Sequence, residues 1–301
     1  MATRAELWAS LGPLPQTQPS LLSNGESKII EGGVVSRLVL NLNGRQDVPA
    51  LLLIPDMDRP KSGWPVMLWN HAHGGKYELG KEEIILGRPS LFNDEWSKQL
   101  LNRGIAILCI DHWAFGERAL STESALFKRF LWNGEVMWGW MVHDSIAAIN
   151  WLESHPDFDI NKLATAGISM GSTMAWWVAA LDERVTLCLD LCCMSDFSTL
   201  LELDTLDGHG VYYYVPDLVK QFSTSDINSL IAPRAHLCCA GLQDALTPPS
   251  GLRVIDKNLK QIYSNLGMAE NWHLHCEDVG HVETEEMRKL CLTWIDNHLL
   301  G

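Results

Sequence analysis

The amino-acid sequence predicts an α/β fold class: a mostly parallel central sheet with an N-terminal antiparallel hairpin and helices on both faces. From residue 65 onward, short apolar runs that are typical of buried strands alternate with longer stretches of helical period. Strands that alternate with helices are joined by right-handed crossovers, which make the strands parallel and cover both faces of the sheet. Because no repeat, low-complexity tract or linker interrupts the chain, we expect residues 1–301 to form a single domain.

The composition is that of an ordinary globular protein. Apolar residues make up 47% of the 301 residues, and the formal net charge is −14. This acidic balance provides neither the basic face of a nucleic-acid-binding protein nor a polybasic patch for an anionic membrane surface. We therefore expect no nucleic-acid partner and no membrane partner.

The N-terminus and the cysteines indicate the compartment. The stretch MATRAELWASLGPLPQTQPS contains no continuous apolar segment of the kind a signal peptide needs. No run approaches the roughly 20 apolar residues of a membrane span. The 8 cysteines lie mostly inside short apolar runs and form no CxxC pair, which is typical of buried thiols in a reducing compartment. We expect a soluble, cytoplasmic protein.

The first 55 residues follow a different pattern from the rest. Residues 1–30 contain prolines and polar residues without a clear period, so we expect an arm or short helices there. Residues 34–42 partly alternate between apolar and polar, residues 48–54 are apolar, and Asn43-Gly44 lies between them. This order predicts a β-hairpin whose loop is longer than two residues.

The alternating elements then follow in order along the chain. Buried strands are predicted at residues 65–70, 105–111, 163–168, 185–191, 235–240 and 273–277. Helices are predicted at about residues 90–103, 137–154, 170–181, 249–265 and 283–299. One face of the last helix carries the apolar residues Met287, Leu290, Cys291, Trp294, Ile295 and Leu299.

Two segments are longer than the crossovers require. Residues 112–136 and 192–232 each follow the carboxyl end of a predicted strand. Open α/β sheets bind their ligands at that edge, and long loops in compact domains are more often functional than idle. We therefore expect both segments to be insertions near an active site.

The segment Gly167-Ile168-Ser169-Met170-Gly171 contains the candidate nucleophile. A predicted strand precedes it and a predicted helix follows it, which is the setting in which a GxSxG motif holds a nucleophilic serine in a sharp turn. The glycines allow the turn to close and lift the Ser169 hydroxyl above the sheet edge. The backbone N–H of Met170, at the helix start, then points to where an oxyanion would form.

A serine nucleophile needs a general base, and the base needs a residue that orients it. Downstream of such a turn the acid precedes the histidine in the chain. Asp244 lies in the loop after the strand at 235–240, and His281 lies in the loop after the strand at 273–277. We therefore predict Ser169, Asp244 and His281 as the catalytic residues.

Other residues compete for two of these roles. Asp190 and Asp196 also lie near a strand end, and of the two Asp196 is the better alternative acid. His273 and His275 lie within the strand that precedes His281, and we interpret them as structural.

The stretches GISMGS, GLQDALTPP and VGHVETEEM resemble the α/β-hydrolase superfamily. More narrowly, they are similar to bacterial esterases of the dienelactone-hydrolase-like and acetyl-xylan-esterase-like branch. NHAHGGK, DHWAFGER, STMAWWVAALDERV, HGVYYYVPDL and LIAPRAHL extend the likeness over most of the chain from about residue 64 onward. Dienelactone hydrolases use a cysteine nucleophile, so Ser169 argues against that activity.

The resemblance implies a second oxyanion donor in the segment His71-Ala72-His73-Gly74-Gly75. By the family's usual His-Gly-X arrangement, this donor is the backbone N–H of His73, beside that of Met170. The sequence has Ala72 where glycine is usual. If that position requires a positive φ, alanine would be strained and the hole would be shifted toward Gly74.

His71 and His73 also form an H-x-H pair that could hold a metal ion. No third ligand follows at short spacing, so the oxyanion loop explains the pair better, and we expect no metal and no cofactor.

The long segments contain many aromatic residues beside polar ones. From them we predict a substrate pocket with Trp113, Trp138, His209 and Tyr213 in its wall. Arg118 is expected to anchor its loop by pairing with a carboxylate.

The predicted function is that of a serine carboxylic-ester hydrolase that acts on short-chain esters, acetyl esters among them, through an acyl-enzyme. The partner is then a small-molecule ester, and a homo-oligomer is left open. The alternatives are a peptidase or amidase with the same three residues, and a binding protein with a vestigial site.

Overall fold

The computed structural model describes residues 3–93 and 95–301. Within these residues one sheet of nine strands forms the centre of the fold. The strands are β1 (Ser20–Ile30), β2 (Gly33–Asn41), β3 (Val48–Pro55), β4 (Trp64–Asn70), β5 (Ala106–Ile110), β6 (Phe158–Ile168), β7 (Val185–Leu191), β8 (Ala235–Gly241) and β9 (Trp272–Glu277). Their order across the sheet is β1-β2-β3-β5-β4-β6-β7-β8-β9.

The sheet is antiparallel at one side and parallel over the rest. β1 pairs with β2, β2 with β3 and β3 with β5 in antiparallel fashion. Every later pair, from β5/β4 to β8/β9, is parallel. The predicted fold class is confirmed, including the hairpin of β2 and β3. The six predicted strands correspond to β4 through β9, and β7 has the predicted bounds. The last of them, β9, lies at the sheet edge, and only its first residue, Trp272, is buried, so the predicted burial of residues 273–277 is wrong.

The expectation of an arm or short helices over residues 1–30 is only partly right. Residues Arg4–Ser10 form a helix, but Ser20–Ile30 is a strand at the sheet edge. Almost all of this strand is exposed, and its register with β2 shifts twice. An edge strand that buries neither face needs no alternation of apolar and polar residues, so the sequence carries no signal for it.

The helices cover both faces of the sheet. They are α1 (Arg4–Ser10), α2 (Glu83–Leu86), α3 (Trp96–Leu101), α4 (Glu123–Trp132), α5 (Met137–Glu153), α6 (Met170–Leu181), α7 (Phe197–Glu202), α8 (Leu218–Gln221), α9 (Thr224–Ser229), α10 (Pro249–Asn265) and α11 (Glu285–Ile295). Short 3-10 segments lie at Gly80–Glu82, Gly116–Arg118, Leu206–Gly208, Val211–Tyr213 and Ala269–Asn271, and a π-helical segment lies at Asp296–Leu300.

Two apolar cores separate the sheet from these helices. One core contains buried residues of α1, α5, α6 and α10, and the other contains those of α3 and α11. The apolar face predicted for the last helix is buried, except that Leu290 is only partly buried. Burial of apolar side chains on both faces provides most of the driving force for this layered arrangement.

The helix predicted at 90–103 is shorter than expected. It begins at Trp96 and ends at Leu101. Upstream of it, the N–H of Phe92 donates to the Glu283 carboxylate at 3.0 Å. The long segments 112–136 and 192–232 are not structureless, since they contain α4 and α7 to α9.

All eight cysteines are free thiols, seven of them buried and Cys276 partly exposed. Among the described residues, no helix combines the length and apolar character that crossing a membrane requires.

Candidate active site

Ser169 lies in a strained turn between β6 and α6. Its backbone has φ 61° and ψ −122°, a conformation that residues other than glycine rarely adopt. The Ser169 N–H donates to the carbonyl of Leu191, at the end of β7, at 2.9 Å. Such strain costs about 1–3 kcal/mol and persists only where the surrounding structure enforces it. The turn therefore presents this side chain at the carboxyl edge of the sheet.

The two glycines of the motif are required by the neighbouring strand. A Cβ on Gly167 would lie 2.4 Å from the carbonyl oxygen of Asn70, and one on Gly171 would lie 1.9 Å from the same atom. Asn70 ends β4, so any larger residue would push the turn away from the loop that follows β4. This contact explains why the motif needs glycine at both positions.

Asp244 and His281 form a hydrogen-bonded pair at the same edge. Asp244 follows β8, His281 follows β9, and the Nδ1–H of His281 donates to Asp244 Oδ2 at 2.6 Å. Asp244 is 4% exposed, and its other oxygen accepts the N–H of Leu246 at 2.9 Å. With the proton on Nδ1, His281 Nε2 is left as the acceptor that a general base requires.

The two alternative acids have other partners. Asp196 caps α7, where its carboxylate accepts the N–H of Thr199 at 3.0 Å. Asp190 is fully buried and contacts His236 Nε2 at 2.6 Å. Neither carboxylate is placed against His281, so the pairing favours Asp244.

The alternative histidines have other partners. His275 pairs with Glu277 at 2.9 Å. The ring of His273 stacks on Trp294 with centroids 6.4 Å apart.

The candidate oxyanion donors are two backbone N–H groups. Met170 is the first residue of α6, and His73 follows β4 by three residues. Over residues 3–93 and 95–301, neither N–H donates a hydrogen bond to another residue. Both are therefore free to bind a ligand oxygen.

Ala72 is not strained, contrary to the concern raised by its sequence. The left-handed residues of this loop are Gly74, with φ +50°, and Gly75, with φ +68°. Because Ala72 has no positive φ, alanine gives no reason to shift the hole toward Gly74.

A buried ion pair holds the loop at Ala72. The Ala72 N–H donates to Glu83 Oε2 at 2.9 Å, and Arg88 Nη2 donates to the Ala72 carbonyl at 3.1 Å. Glu83 and Arg88 also pair with each other, and both side chains are almost fully buried. Sequence reasoning missed this pair, since neither residue belongs to a recognisable motif.

A second carboxylate holds the loop at His73. The N–H of Gly75 donates to His73 Nδ1 at 3.0 Å, so the ring proton lies on Nε2. His73 Nε2–H then donates to Glu123 Oε2 at 2.8 Å, and the Tyr77 hydroxyl donates to the same oxygen at 2.7 Å. The other oxygen of Glu123 accepts the N–H of Tyr212 at 3.2 Å.

These three donors keep Glu123 ionised. Burial alone would raise its pKa, but the hydrogen bonds from His73 and Tyr77 outweigh burial and lower the pKa below its ordinary value. Glu123 is the first residue of α4, in the segment 112–136. This segment therefore holds the candidate oxyanion loop, residues 71–75, through one charged residue.

His71 and His73 have separate roles and do not share a ligand position. His71 is fully buried, donates from Nδ1 to the Ala72 carbonyl at 3.1 Å, and accepts the N–H of His112 at Nε2 at 3.1 Å. Burial lowers the pKa of His71 to about 3, so the ring is neutral. Both of its nitrogens are occupied within the protein. Within the described part of the chain, no group of three or more His, Cys, Asp or Glu residues is arranged to hold a metal ion.

A cavity of about 850 Å³ lies beside the oxyanion loop. His73 and His209 both line it, and the Nε2–H of His209 donates to the Leu246 carbonyl at 3.2 Å. Ser169, Asp244 and His281 are not among its lining residues. Tyr213 stacks on His209 with ring centroids 5.4 Å apart. The lining residues are His73, Tyr77, Ala114, Ala119, Leu120, Ser121, Thr122, Glu123, Ser124, Asp207, Gly208, His209, Gly210 and Val211.

Of the four residues predicted for the pocket wall, His209 lines this cavity, whereas Trp113, Trp138 and Tyr213 do not. Trp113 is 5% exposed and packs against Phe130 and Trp140, with the Arg118 guanidinium 4.4 Å from its ring centroid. Trp138 is fully buried against other aromatic rings. Aromatic side chains of this size are buried in the core when the fold allows it, and sequence alone does not separate core from cavity. Arg118 pairs with Asp144 at 2.8 Å, as expected of an anchoring residue.

Comparison with known proteins places these features in context. No model of a known protein family matches the chain. A Bacillus subtilis protein named "Putative hydrolase YtaP" is 40% identical over 296 residues, which cover 98% of each chain.

Solved structures with a similar fold include several esterases. A "putative acetyl xylan esterase" of Bacteroides fragilis has a TM-score of 0.68 at 17% identity, over 92% of this chain and 73% of its own. A glucuronoyl esterase of Solibacter usitatus has a TM-score of 0.66 at 16% identity, over 97% of this chain and 91% of its own. An acetyl xylan esterase of Paenibacillus sp. R4 has a TM-score of 0.64 at 17% identity, over 98% and 92%. At these identities the likeness establishes the fold.

Proposed function

The chain belongs to the α/β-hydrolase superfamily, and we propose that it is a serine carboxylic-ester hydrolase that acts on short-chain esters, acetyl esters among them. The observation that carries this proposal is the hydrogen bond between His281 and the buried Asp244 at the sheet edge where the strained turn presents Ser169. A base held in one tautomer at the sheet edge that also carries a serine in such a turn is the arrangement expected of an activated serine nucleophile.

In the proposed reaction Ser169 Oγ attacks the ester carbonyl while its proton moves to His281 Nε2. The imidazolium that forms is stabilised by the Asp244 carboxylate. The carbonyl oxygen becomes an oxyanion that accepts hydrogen bonds from the N–H groups of Met170 and His73. The C–O bond to the alcohol then breaks, and His281 returns its proton to the leaving oxygen.

The acyl-enzyme is hydrolysed by the same groups. A water molecule gives its proton to His281 and attacks the acyl carbon, and the same N–H pair holds the second oxyanion. Collapse of this intermediate releases the acid and restores the Ser169 hydroxyl through the proton on His281. The cycle consumes one ester and one water and yields one alcohol and one acid.

The proposal of short acyl groups is supported by the insertions. The segments 112–136 and 192–232 are compact, and α4 and residues 207–211 form walls of the cavity instead of a separate lid domain. The names of the acetyl xylan esterases of similar fold point in the same direction.

Labelling with a fluorophosphonate tests the nucleophile. We expect the native protein to be labelled at Ser169 and to hydrolyse p-nitrophenyl acetate, and we expect Ser169→Ala to lose both properties while retaining its melting temperature. A folded native protein that is neither labelled nor active would refute the enzyme function. A panel of p-nitrophenyl esters of increasing length should show falling kcat/KM beyond short chains, and an aminoacyl p-nitroanilide that is cleaved faster than the acetate would favour an amidase.

A further inference from the structure

The charges around the cavity indicate which charge the natural ester carries. We propose that this cavity selects against anionic substrates, so that the natural ester has no carboxylate, phosphate or sulfate group near its scissile bond. This inference rests on the proposed ester hydrolysis and adds the charge class of the substrate to it.

The cavity lining contains two carboxylates and no lysine or arginine. Glu123 lies in the wall beside the oxyanion loop, and Asp207 lies at the rim in the insertion 192–232. The hydrogen bonds to Glu123 hold it in its ionised form, as described above. Asp207 is exposed and, among the residues that the structure describes, has no hydrogen-bond or ion-pair partner.

The two histidines of the lining do not offset this negative charge. His209 is largely buried, and burial lowers its pKa, so the ring is neutral. His73 accepts a hydrogen bond at Nδ1 and donates one from Nε2, which is the pattern of a neutral imidazole.

The basic residues nearest the cavity lie outside its lining. Arg88, which is bound to Glu83, packs against Gly74 of the oxyanion loop and lines a separate groove with the exposed Lys76. Arg118, which is bound to Asp144, lines a second groove with Arg45 and Arg129, and this groove shares Leu120 and Ser121 with the cavity. None of these basic residues lines the cavity itself. With a net charge of −14 over the whole chain, an approaching anion meets an unfavourable potential both at long range and inside the site.

Three acetate esters of similar size test this selectivity: acetylcholine, 3,3-dimethylbutyl acetate and 3-sulfopropyl acetate. Their alcohols carry one positive charge, no charge and one negative charge. Each kcat/KM is measured at low ionic strength and divided by the rate constant for hydroxide-catalysed hydrolysis, which removes differences in intrinsic reactivity. In a water-like medium, a carboxylate about 7 Å from a substrate charge changes kcat/KM about threefold. Two such carboxylates together change it about tenfold.

We therefore expect the anionic ester to react about tenfold more slowly than the neutral one, and the cationic ester to react at least as fast. About 0.5 M salt should compress these ratios, because the Debye length becomes shorter than the charge separation. Equal normalised rates for the anionic and neutral esters, or a faster anionic ester, would overturn the inference.

Asp207→Asn and a matched control locate the effect. Removing the Asp207 charge should raise the anionic-to-neutral ratio about threefold. Asp204 is also exposed, lies in the same insertion, and is outside the cavity lining, so Asp204→Asn should leave the ratio unchanged. An equal change in both variants would attribute the effect to the net charge of the protein and overturn the role of the cavity.

The same experiment separates this inference from the proposed function. If p-nitrophenyl acetate is hydrolysed but the three alkyl esters are not, their inhibition constants against p-nitrophenyl acetate are compared, and equal constants overturn the selectivity. If no ester is hydrolysed and Ser169 is not labelled, the proposed function is overturned and the selectivity with it.

Discussion

Replacing Glu123 by glutamine removes the negative charge on which three hydrogen-bond donors converge. His73 and Tyr77 donate to one oxygen of Glu123, and Tyr212 donates to the other. A glutamine side chain has one carbonyl oxygen and one NH₂ group. Whichever way the amide is oriented, its NH₂ faces at least one N–H or O–H donor. The carboxylate therefore cannot be replaced by its neutral isostere without loss of at least one contact.

The magnitude follows from the strength of these bonds. Hydrogen bonds to a charged group contribute about 1.5–3 kcal/mol and neutral ones about 1 kcal/mol, so the hold on His73 weakens by about 1–2 kcal/mol. If that weakening is passed to the backbone N–H of His73 as an oxyanion donor, kcat falls about tenfold. Complete loss of one oxyanion donor, which costs about 10²–10³ in kcat, is the upper limit.

Steady-state kinetics on p-nitrophenyl acetate measure this effect. This ester is neutral, so the lost charge of Glu123→Gln does not itself alter substrate attraction. We expect kcat to fall about tenfold with KM nearly unchanged, because the oxyanion forms during the reaction and is absent from the bound ester. The inhibition constant of a trifluoromethyl ketone should rise in parallel, since its hemiketal oxygen occupies the oxyanion position.

Glu135→Gln is the matched control. Glu135 lies in the same insertion as Glu123 but pairs with Arg45 outside the cavity lining. This variant should retain the native kcat and inhibition constant. If Glu123→Gln also retains them while remaining folded, or if only KM changes, Glu123 does not position the oxyanion loop and the reasoning is refuted.

Three further predictions concern the acid, a buried histidine and a buried tryptophan. Asp244→Asn should lower kcat about 10⁴-fold near pH 7, because its amide would favour the wrong tautomer of His281. Asp196→Asn should retain the native kcat and lose at most about 1 kcal/mol of stability, and steady-state kinetics and thermal melting distinguish the two variants. Burial lowers the pKa of His71 to about 3 from an ordinary 6.5, so the unfolded chain binds a proton that the native state does not, and the free energy of unfolding decreases as pH falls from 6.5 toward 3. Urea titrations at a series of pH values should show that His71 contributes up to about 1.4 kcal/mol per pH unit to the change of the unfolding free energy with pH. This pH dependence should be smaller in His71→Gln, and an unchanged pH dependence would contradict the prediction. Trp113→Ala should lower the free energy of unfolding by about 3–5 kcal/mol and leave the dependence of kcat/KM on acyl-chain length unchanged. A changed dependence would show that Trp113 contacts the substrate.

Much of the fold could be predicted because its signals are local. Strands β4, β5, β7 and β8 are short, largely apolar runs, and such runs are recognisable without knowledge of their neighbours. Ser169 was recognisable for the same reason, since the residues that shape its turn lie within two positions of it. Asp244 and His281 could be predicted because parallel strands bring their carboxyl ends to one edge of the sheet.

The residues that hold the oxyanion loop could not be predicted. Glu123 lies 50 residues from His73 in the chain, and Glu83 lies 11 residues from Ala72. Each is an ordinary acidic residue by sequence, and nothing in its neighbourhood marks it as buried. The edge strand β1 escaped prediction because it buries neither face. Trp113 lines a neighbouring groove instead of the cavity beside the oxyanion loop, and sequence alone does not distinguish the two positions.

The sequence by itself therefore determined the order of the elements, the edge at which the site lies and the candidate nucleophile, acid and base. Only the tertiary structure decided which carboxylates support the oxyanion loop, which aromatic rings face the cavity and which charges line it. The physical reason is that backbone conformation and periodic burial depend on neighbours in the chain, whereas the partner of a buried polar group depends on packing between distant segments.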